Sequence, residues 1–268
     1  MTRSSTPSLS RDELAQAARV ATRAADHARR ETLSRFRAVA VETKADGSPV
    51  TEADRAAERA IRTVLQECYP DFGILGEEYG AQDVSDERPC WVIDPIDGTI
   101  CYSRGIPLFS TLIALVLGGR PGAGGEAVVG LIDLPALDER YLGFAGGACQ
   151  RNGAPVHVSR ESDLARAVIS HGDPFCFDRA GQRAGFERMA REIPILRGYT
   201  DAFGHSQVLA GGVDAMVDFD LNPWDVAATE VLIREAGGDC RSYRQDNGKM
   251  GIVIGSPALV EQLASFFV

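Results

Sequence analysis

The stretch WVIDPIDGT at residues 91–99 decides how the chain is interpreted. Its apolar first half predicts a buried strand that ends at Asp94, because Pro95 has no N–H with which to continue a strand ladder. Asp97 follows within a tight turn. The carboxylates of Asp94 and Asp97 can therefore point to one spot, beside the exposed carbonyl oxygen of Ile96. Such oxygen ligands suit Mg²⁺, and a divalent cation removes the repulsion between two neighbouring carboxylates.

Two more places carry acidic residues at the ends of predicted elements. Glu77 and Glu78 directly follow an apolar strand predicted at 72–75, and Asp225 opens a predicted helix. Each place has a simpler alternative, since Asp-Pro and Asp-Gly are common turn pairs and Asp225 can cap its helix. Three acidic element ends on one chain nevertheless favour a site for more than one metal ion.

Composition excludes several classes of partner. Of the 268 residues, 44% are hydrophobic and 25% charged, which are ordinary globular values. The 28 Lys and Arg against 38 Asp and Glu give a net charge of −10, which argues against a basic nucleic-acid surface and a polybasic membrane patch. The longest apolar run, about Leu112 to Leu117, is far shorter than the ~20 residues of a spanning helix. We expect neither nucleic-acid nor membrane partners.

The N-terminus and the cysteines indicate a cytoplasmic location. Residues 1–10, MTRSSTPSLS, contain no apolar segment of a secretory signal. The six cysteines are widely and irregularly spaced and form no Cys-x-x-Cys pair. Such spacing is typical of free thiols in a reducing compartment.

Hydrophobic periodicity predicts long helices first and strands afterwards. The helices span 10–36 and 51–67, with a turn or hairpin at 42–50 between them. Short apolar or alternating runs then predict strands at 72–75, 90–93, 110–117, 128–133 and 141–144, with 118–125 as a hairpin tip. In the second half we predict strands at 167–170, 195–196, 215–219 and 251–255, and helices at 180–192, 206–211, 224–236 and 257–266.

This order of elements predicts an α+β / α/β layered sandwich, in which helix and sheet layers alternate. No repeat or linker divides the chain. Residues 1–268 are therefore expected to form a single catalytic unit, with an N-terminal metal-binding half of about 1–150 and a C-terminal α/β half of about 151–268.

These segments resemble the inositol monophosphatase superfamily, whose members are metal-dependent, lithium-sensitive phosphomonoesterases. The resemblance covers nearly the whole chain, and the hexapeptide DPIDGT is its most specific part. The segments that carry it are Lys44…Asp46…Pro49-Val50-Thr51-x-x-Asp54, Gly76-Glu77-Glu78, Asp94-Pro95-Ile96-Asp97-Gly98-Thr99, Trp224-Asp225-Val226-Ala227-Ala228 and Ala236-Gly237-Gly238. The resemblance also implies a homodimer.

The resemblance implies a set of metal ligands. Glu77, Asp94 and the Ile96 carbonyl would hold one Mg²⁺, and Asp94, Asp97 and Asp225 would hold a second. A third, weaker Mg²⁺ is expected near Glu77. Cations invert the local field of an acidic site, so that it can take an anionic phosphate monoester for in-line hydrolysis without a covalent intermediate.

The resemblance further implies which groups handle water and phosphate. Thr99 and Asp54 match the pair that orients the attacking water, so the predicted catalytic residues are Asp54, Thr99 and Glu77. The N–H groups of Gly98 and Thr99 match the phosphate cradle. For Asp54 the alternative is a capping-box carboxylate after Thr51.

Two carboxylates bear on the choice of substrate. The segment 197–205, RGYTDAFGH, resembles the Gly-Asp-x-Tyr-x-Tyr stretch of the histidinol-phosphate phosphatase branch, and it places Asp201 where inositol monophosphatases carry small, uncharged residues. Asp218, seven residues before Asp225, falls where the superfamily often has a substrate-contacting acid. Carboxylates suit the amine and the imidazole of histidinol phosphate. The alternative for Asp201 is a loop-capping residue.

The predicted activity is therefore Mg²⁺-dependent hydrolysis of a small phosphate monoester, L-histidinol phosphate. The alternative is inositol-1-monophosphatase, followed by fructose-1,6-bisphosphatase or nucleotide 3′-phosphatase activity. Ile100, Cys101 and Tyr102 replace the residues that commonly follow the signature in inositol monophosphatases, which leaves the substrate contacts open. A non-catalytic, metal-dependent binding protein would require a missing ligand, and none is missing.

The sequence assigns no catalytic role to Lys44 or to the four histidines. Lys44 belongs to the resemblance but has the alternative of a solvated surface lysine. His171 and His205 are expected to be packed or capping residues rather than catalysts. His27 and His157 are expected at the surface.

Overall fold

The computed structural model describes residues 9–38, 41–43, 49–120, 122–245 and 247–267. Its α-helices are α1 Arg11–Arg35, α2 Glu52–Cys68, α3 Thr99–Ser103, α4 Pro174–Arg179, α5 Arg183–Glu192, α6 Asp201–Leu209, α7 Pro223–Glu235 and α8 Pro257–Ala264. Its strands are β1 Val41–Thr43, β2 Pro49–Thr51, β3 Gly73–Gly76, β4 Gly80–Gln82, β5 Cys90–Asp97, β6 Ser110–Leu117, β7 Glu126–Leu134, β8 Glu139–Phe144, β9 Gln150–Arg151, β10 Ala154–Pro155, β11 Val168–His171, β12 Ile195–Arg197, β13 Ala215–Leu221, β14 Asp239–Arg244 and β15 Met250–Gly255.

The first two helices begin at capping boxes. The Ser10 side chain accepts from the Glu13 N–H while Glu13 bonds back to Ser10, and Thr51 and Asp54 repeat the arrangement at α2. Six of the nine buried residues of α1 are alanines, which lets α1 and α2 pack closely against each other and against a sheet. Both helices predicted from periodicity are confirmed within two residues at each end.

Two sheets carry the strands. An eight-stranded sheet has the order β10-β9-β8-β7-β6-β5-β3-β4, and a five-stranded sheet has the order β12-β11-β13-β15-β14. All eight residues of β6 are buried, which explains why this strand reads as an unbroken apolar run. The hairpin tip predicted at 118–125 joins the antiparallel strands β6 and β7.

Three main hydrophobic clusters show how the layers stack. One lies between α1, α2 and the large sheet, a second between the large sheet, helices α6 and α7 and the small sheet, and a third between the small sheet and helices α4, α5 and α8. The order helix, sheet, helix, sheet, helix confirms the layered α+β / α/β sandwich. None of the helices in the described ranges is long and apolar enough to cross a membrane.

The second half differs from prediction chiefly in α4, α6 and β14. The helix predicted at 180–192 is confirmed as α5, but α4 before it was not predicted, and helix α6 begins at Asp201 rather than at residue 206. At Gly204, inside α6, a β-carbon would come within 1.9 Å of the Tyr199 carbonyl oxygen and within 2.5 Å of Met216 Sδ, so close packing rather than helix propensity favours glycine here. The edge strand β14 was not predicted, because its exposed residues lack an apolar alternation.

Candidate active site

Two parallel strands bring the first acidic residues together. β3 and β5 pair in parallel with Gly76 opposite Ile93, so the next residues, Glu77 and Asp94, come to the same edge of the sheet. The N–H of Glu77 donates to the carbonyl oxygen of Ile93 at 3.2 Å. The carboxyl ends of parallel strands are where α/β folds place ligands.

A bulge in β5 turns Asp94 and Asp97 toward the same side. Asp94 lies opposite Leu112 of β6 and Asp97 opposite Ser110, so β5 holds one more residue than β6 over this interval. In a regular strand, residues three apart point to opposite faces, and the extra residue removes that alternation. Pro95 lies inside the bulge, where its missing N–H costs no ladder bond. The strand predicted to end at Asp94 therefore extends to Asp97.

The third carboxylate comes from the helix between the two sheets. Asp225 lies in the first turn of α7, and its Oδ2 accepts from the N–H of Asn222 at 2.7 Å. Carboxylate oxygens of Asp94, Asp97 and Asp225 all lie within 4.8 Å of one another. Asp225 therefore caps its helix and also reaches the cluster. Its two predicted roles, helix cap and metal ligand, are compatible.

Protein donors fix the orientation of these carboxylates. Asp94 Oδ1 accepts from the N–H of Ile96 at 3.0 Å. Asp97 Oδ2 accepts from the Ser110 hydroxyl at 2.9 Å and from the N–H of Ala202 at 2.8 Å. The Ala202 N–H belongs to the first turn of α6, so this helix is docked on the cluster. Hydrogen bonds of this kind hold potential metal ligands in a preformed arrangement.

Burial and mutual repulsion keep the cluster prone to protonation. Burial raises the pKa of Asp94 well above its ordinary value, and the charges of Glu77, Asp97 and Asp225 raise it further. Burial also raises the pKa of Asp97 well above its ordinary value, with added repulsion from Asp201 and Asp225. For Asp225, burial raises the pKa to about 7. Each of these shifts reports a negative charge that lacks sufficient compensation.

A divalent cation fits this environment. Asp94 is only 2% exposed and Asp97 only 8%. Lys249 lowers the pKa of Asp225 but donates its own hydrogen bond to Asn222 Oδ1 at 2.7 Å. Oxygen ligands without nitrogen or sulfur are the set that Mg²⁺ and similar hard cations prefer. Lys249 was not anticipated, because no motif marks it in the sequence.

The turn after the cluster carries the predicted phosphate groups. Gly98 has φ of +78° and precedes the short helix α3. The Thr99 hydroxyl donates to the Ile96 carbonyl oxygen at 2.9 Å, which leaves that carbonyl a second lone pair. N–H groups in the first turn of a helix have no intrahelical partner. Ile96, Gly98 and Thr99 line the same pocket as Glu77 and the three clustered aspartates.

Asp54 has the contacts of a capping-box residue and also keeps one oxygen that could serve the predicted catalytic role. Its Oδ2 accepts from the N–H and the hydroxyl of Thr51, at 2.8 and 2.6 Å, as a capping-box residue does. Its Oδ1 is buried and has no hydrogen-bond partner among the described residues. Burial raises the pKa of Asp54 to about 6, and the charge of Glu77 contributes to the rise. Asp54 therefore caps α2 with one oxygen and keeps the other free within range of the Glu77 charge, although Asp54 is not among the described residues that line the pocket.

The two predicted substrate carboxylates occupy different positions. Asp201 lines the pocket, and its backbone is left-handed, with φ of +57°, a conformation that aspartate adopts more readily than most residues other than glycine. Asp218 is 3% exposed, and it is not among the described residues that line the pocket. It lies beside His205, with 3.9 Å between Asp218 Oδ2 and His205 Nε2. His205, expected to be a packed side chain, is 1% exposed and also lines the pocket.

The other basic side chains lie as expected where the structure describes them. His27 and His157 are exposed. His171 packs edge-on against Phe186, with ring centroids 5.1 Å apart. Lys44, and Asp46 near it, lie outside the described residues.

A wider cleft elsewhere does not form an anion site. It measures about 360 Å³ and lies between α1 and the β8–β9 edge, with two arginines in its wall. Arg29 pairs with Asp133 and Asp138, at 2.7 and 2.6 Å. Arg140 pairs with Asp133 and Asp26, both at 2.8 Å. Three carboxylates thus face two guanidinium groups, which leaves no excess positive charge for a phosphate.

Comparison with known proteins gives matches over most of the chain. The sequence profile of the inositol monophosphatase family matches residues 10–265. A histidinol-phosphatase of Streptomyces coelicolor is 39% identical over 221 residues, covering 80% of this chain and 82% of that protein. An inositol-1-monophosphatase of Mesorhizobium japonicum is 36% identical over 203 residues, covering 74% and 73%. The crystal structure of extragenic suppressor protein suhB from Bartonella henselae matches with a TM-score of 0.82 at 27% identity, covering 94% of this chain and 98% of that one.

Proposed function

Because the chain belongs to the inositol monophosphatase family and is a phosphoric monoester hydrolase, we propose that its substrate is histidinol phosphate, which it hydrolyses to histidinol and inorganic phosphate with Mg²⁺. The observation that carries this choice is the carboxylate of Asp201 in the wall of the pocket that holds the acidic cluster. A cationic substrate gives such a carboxylate a charge-assisted partner, whereas a neutral polyol does not. The similarity to a histidinol-phosphatase supports the same choice.

We assign the metal ligands from the cluster and the pocket around it. Asp94, Asp97 and Asp225 would hold one ion, and Asp94 with Glu77 and the Ile96 carbonyl would hold another. When bound, Mg²⁺ would neutralise the carboxylates and stabilise negative charge on the phosphoryl group and the leaving oxygen. We expect two or three ions in each active site.

The chain's own groups would position phosphate and water. The N–H groups of Gly98 and Thr99 would donate to the phosphate oxygens. The Thr99 hydroxyl donates to the Ile96 carbonyl, so its lone pairs remain to accept a hydrogen bond from the attacking water. Asp54 Oδ1, buried and without a partner in the described structure, would take the proton of that water.

Asp201 and Asp218 would read the part of the substrate beyond the phosphate. Histidinol phosphate carries an ammonium group and an imidazole, and both can donate to carboxylates. The Asp201 side chain also accepts from the Thr200 hydroxyl at 3.0 Å, which orients it at the start of α6. Asp218 adjoins the pocket through His205.

A substrate comparison tests this proposal. With Mg²⁺ present, kcat/KM for histidinol phosphate should exceed that for inositol-1-phosphate by at least about tenfold, because a charge-assisted hydrogen bond contributes ~1.5–3 kcal/mol. Asp201→Asn should reduce this kcat/KM by a similar factor and change hydrolysis of p-nitrophenyl phosphate by less than about threefold. Equal rates on the two natural substrates, or equal losses on both esters, would contradict the histidinol assignment.

Inositol-1-phosphate is the second candidate, favoured by the similarity to an inositol-1-monophosphatase. A preference for this ester in the same assay would establish it.

We further propose that residues 1–268 act as one catalytic unit and that the protein is a homodimer, as the family resemblance implies. The hydrophobic cluster between the two sheets supports a single catalytic unit, since it joins residues from Cys90 to Ile254. Light scattering after size-exclusion chromatography would measure the oligomeric state directly, and a monomer would contradict the second point.

A further inference from the structure

A histidine that lines the pocket has one ring nitrogen without a partner among the described residues. His205 is 1% exposed, and its Nδ1 lies 2.9 Å from the Thr229 hydroxyl oxygen. Its Nε2 is buried and makes no hydrogen bond within the described part of the chain. A buried polar atom without a partner costs ~1–3 kcal/mol, so a protein that keeps one at a binding site gains when a ligand supplies the missing bond.

The surroundings of Nε2 favour a ligand that carries only donors. Asp218 Oδ2 lies 3.9 Å away, which is too long for a direct hydrogen bond. A single nitrogen placed between them can lie about 2.9 Å from both atoms. Burial lowers the pKa of His205 to about 4, so the ring is neutral at pH 7. If Nδ1 donates to the Thr229 hydroxyl, Nε2 offers a lone pair.

The space for Asp218 is itself built into the fold. A β-carbon on Gly172 would come within 1.8 Å of Asp218 Oδ1, so this carboxylate fits only because residue 172 has no side chain. Its Oδ1 accepts from the N–H of Phe219 at 2.8 Å, which leaves Oδ2 on the side of His205. The carboxylate and the imidazole are therefore held as a pair.

We propose that His205 Nε2 and Asp218 Oδ2 together accept hydrogen bonds from the ammonium group of the substrate, which makes His205 a specificity-determining residue. An ammonium group has three donors and no acceptor, and it can satisfy Nε2, Asp218 and the nearby Asp201 at once. This inference rests on the proposed function, because it assumes an amino-alcohol phosphate as substrate. Thr229 is a positioning residue that sets the ring orientation and tautomer.

Two variants of His205 separate recognition from packing. The amide of Asn can replace Nδ1 but leaves the place of Nε2 empty, whereas the longer Gln places a polar atom near Nε2. His205→Asn should raise KM for histidinol phosphate by about tenfold or more and lower kcat by less than threefold. His205→Gln should stay within about threefold of the unmodified protein. Exposed His157 provides the matched control, and His157→Asn should leave both constants unchanged.

A substrate analogue identifies the group that is recognised. In the analogue, hydrogen replaces the amino group of histidinol phosphate. The penalty of His205→Asn should fall to less than about twofold on this analogue, because the bond in question no longer exists in either protein. An equal penalty on both esters would overturn the proposal, since it would indicate a structural role. An unchanged KM for histidinol phosphate in a folded His205→Asn protein would overturn it as well.

Further readouts keep the test decisive if His205→Asn unfolds. Thr229→Val removes the hydroxyl that holds the ring and should raise KM for histidinol phosphate severalfold with little effect on the analogue. Equal increases in KM for histidinol phosphate and for the analogue would count against the proposal. If the unmodified protein does not hydrolyse histidinol phosphate at all, the proposed function fails, whereas failure of the His205 variants alone overturns only this inference.

Discussion

Glu58 accepts a hydrogen bond from the N–H of Glu78, with 2.7 Å between Oε2 and the nitrogen. Its other oxygen accepts from the N–H of Tyr79 at 3.2 Å and from Nε of Arg62 at 2.7 Å. Glu58 is fully buried on α2, and Arg62 also donates to the Gly80 carbonyl oxygen at 2.6 Å. A buried ion pair thus ties helix α2 to the loop after β3, which carries the proposed metal ligand Glu77.

Glu58→Gln should weaken both the fold and metal binding. The NH₂ group of the amide is a donor, and it would face two N–H groups and a guanidinium that also donate. Arg62 would lose its buried counter-charge as well. We expect a loss of at least about 2 kcal/mol in the free energy of unfolding and a weaker Mg²⁺ affinity. Urea unfolding and calorimetric Mg²⁺ titration measure the two effects. Glu52→Gln, at an exposed position on the same helix, is the control and should change neither.

Asp94→Asn should separate stability from activity. The amide keeps an oxygen to accept the Ile96 N–H and removes one negative charge from the buried cluster. We expect the metal-free protein to become more stable, by about 1 kcal/mol or more, while turnover falls at least about a thousandfold. Unfolding in EDTA and phosphate release with Mg²⁺ measure these quantities. Near-normal turnover in this variant would remove the proposed mechanism.

The metal-free protein should lose stability as the pH rises from 5.5 to 8. Burial raises the pKa of Asp54 to about 6 and that of Asp225 to about 7, above their values in the unfolded chain. The folded state therefore binds more protons in this window. The stability that these two carboxyl groups contribute is fully present below their pKa in the unfolded chain. It declines as the pH rises toward and through their pKa in the folded protein.

We expect the melting temperature without metal to fall by at least about 2–4 °C between these pH values, which corresponds to ~1 kcal/mol. Saturating Mg²⁺ should remove or reverse this decline, because the cation compensates the carboxylates. Calorimetric scans with EDTA and with Mg²⁺ test both statements. A melting temperature that rises with pH in EDTA would show that the cluster does not control stability in this range.

Gly98→Ala should affect the active site more than the fold. A side chain at φ of +78° is strained, and its β-carbon would lie 3.0 Å from the Leu108 carbonyl oxygen and 3.3 Å from Asp201 Oδ2. We expect a loss of about 1–2 kcal/mol in stability and at least a tenfold loss in kcat/KM. Gly146 is a matched control, with φ of +75° and no atom of the described residues within 4 Å of a β-carbon.

Gly146→Ala should show the strain of the left-handed backbone without the loss of activity. The difference between the two variants then isolates the contacts that Gly98 makes in the pocket. Equal kcat/KM values in both would mean that the turn does not bind phosphate.

Local sequence patterns were sufficient to predict the long helices and the fully buried strand. Hydrophobic periodicity marked both long helices, which begin at capping boxes at Ser10 and Thr51, and the unbroken apolar run at 110–117 marked a buried strand. The acidic ends at Asp94, Asp97 and Asp225 predicted one site because several of them occur on one chain, although each alone has a turn or a helix cap as its alternative. The family resemblance added their roles.

Only the tertiary structure decided how these residues meet. The bulge between Asp94 and Asp97 depends on the register of β5 against β6, and the reach of Asp225 depends on a helix packed between two sheets. Two features leave no periodic pattern in the sequence: the Nε2 of His205 beside Asp218, which has no partner in the part of the chain that the structure describes, and the hydrogen bonds from the loop after β3 to Glu58. Pairing register and burial are set by contacts between distant segments, whereas caps and apolar runs are set by neighbours, and only the latter can be read along the chain.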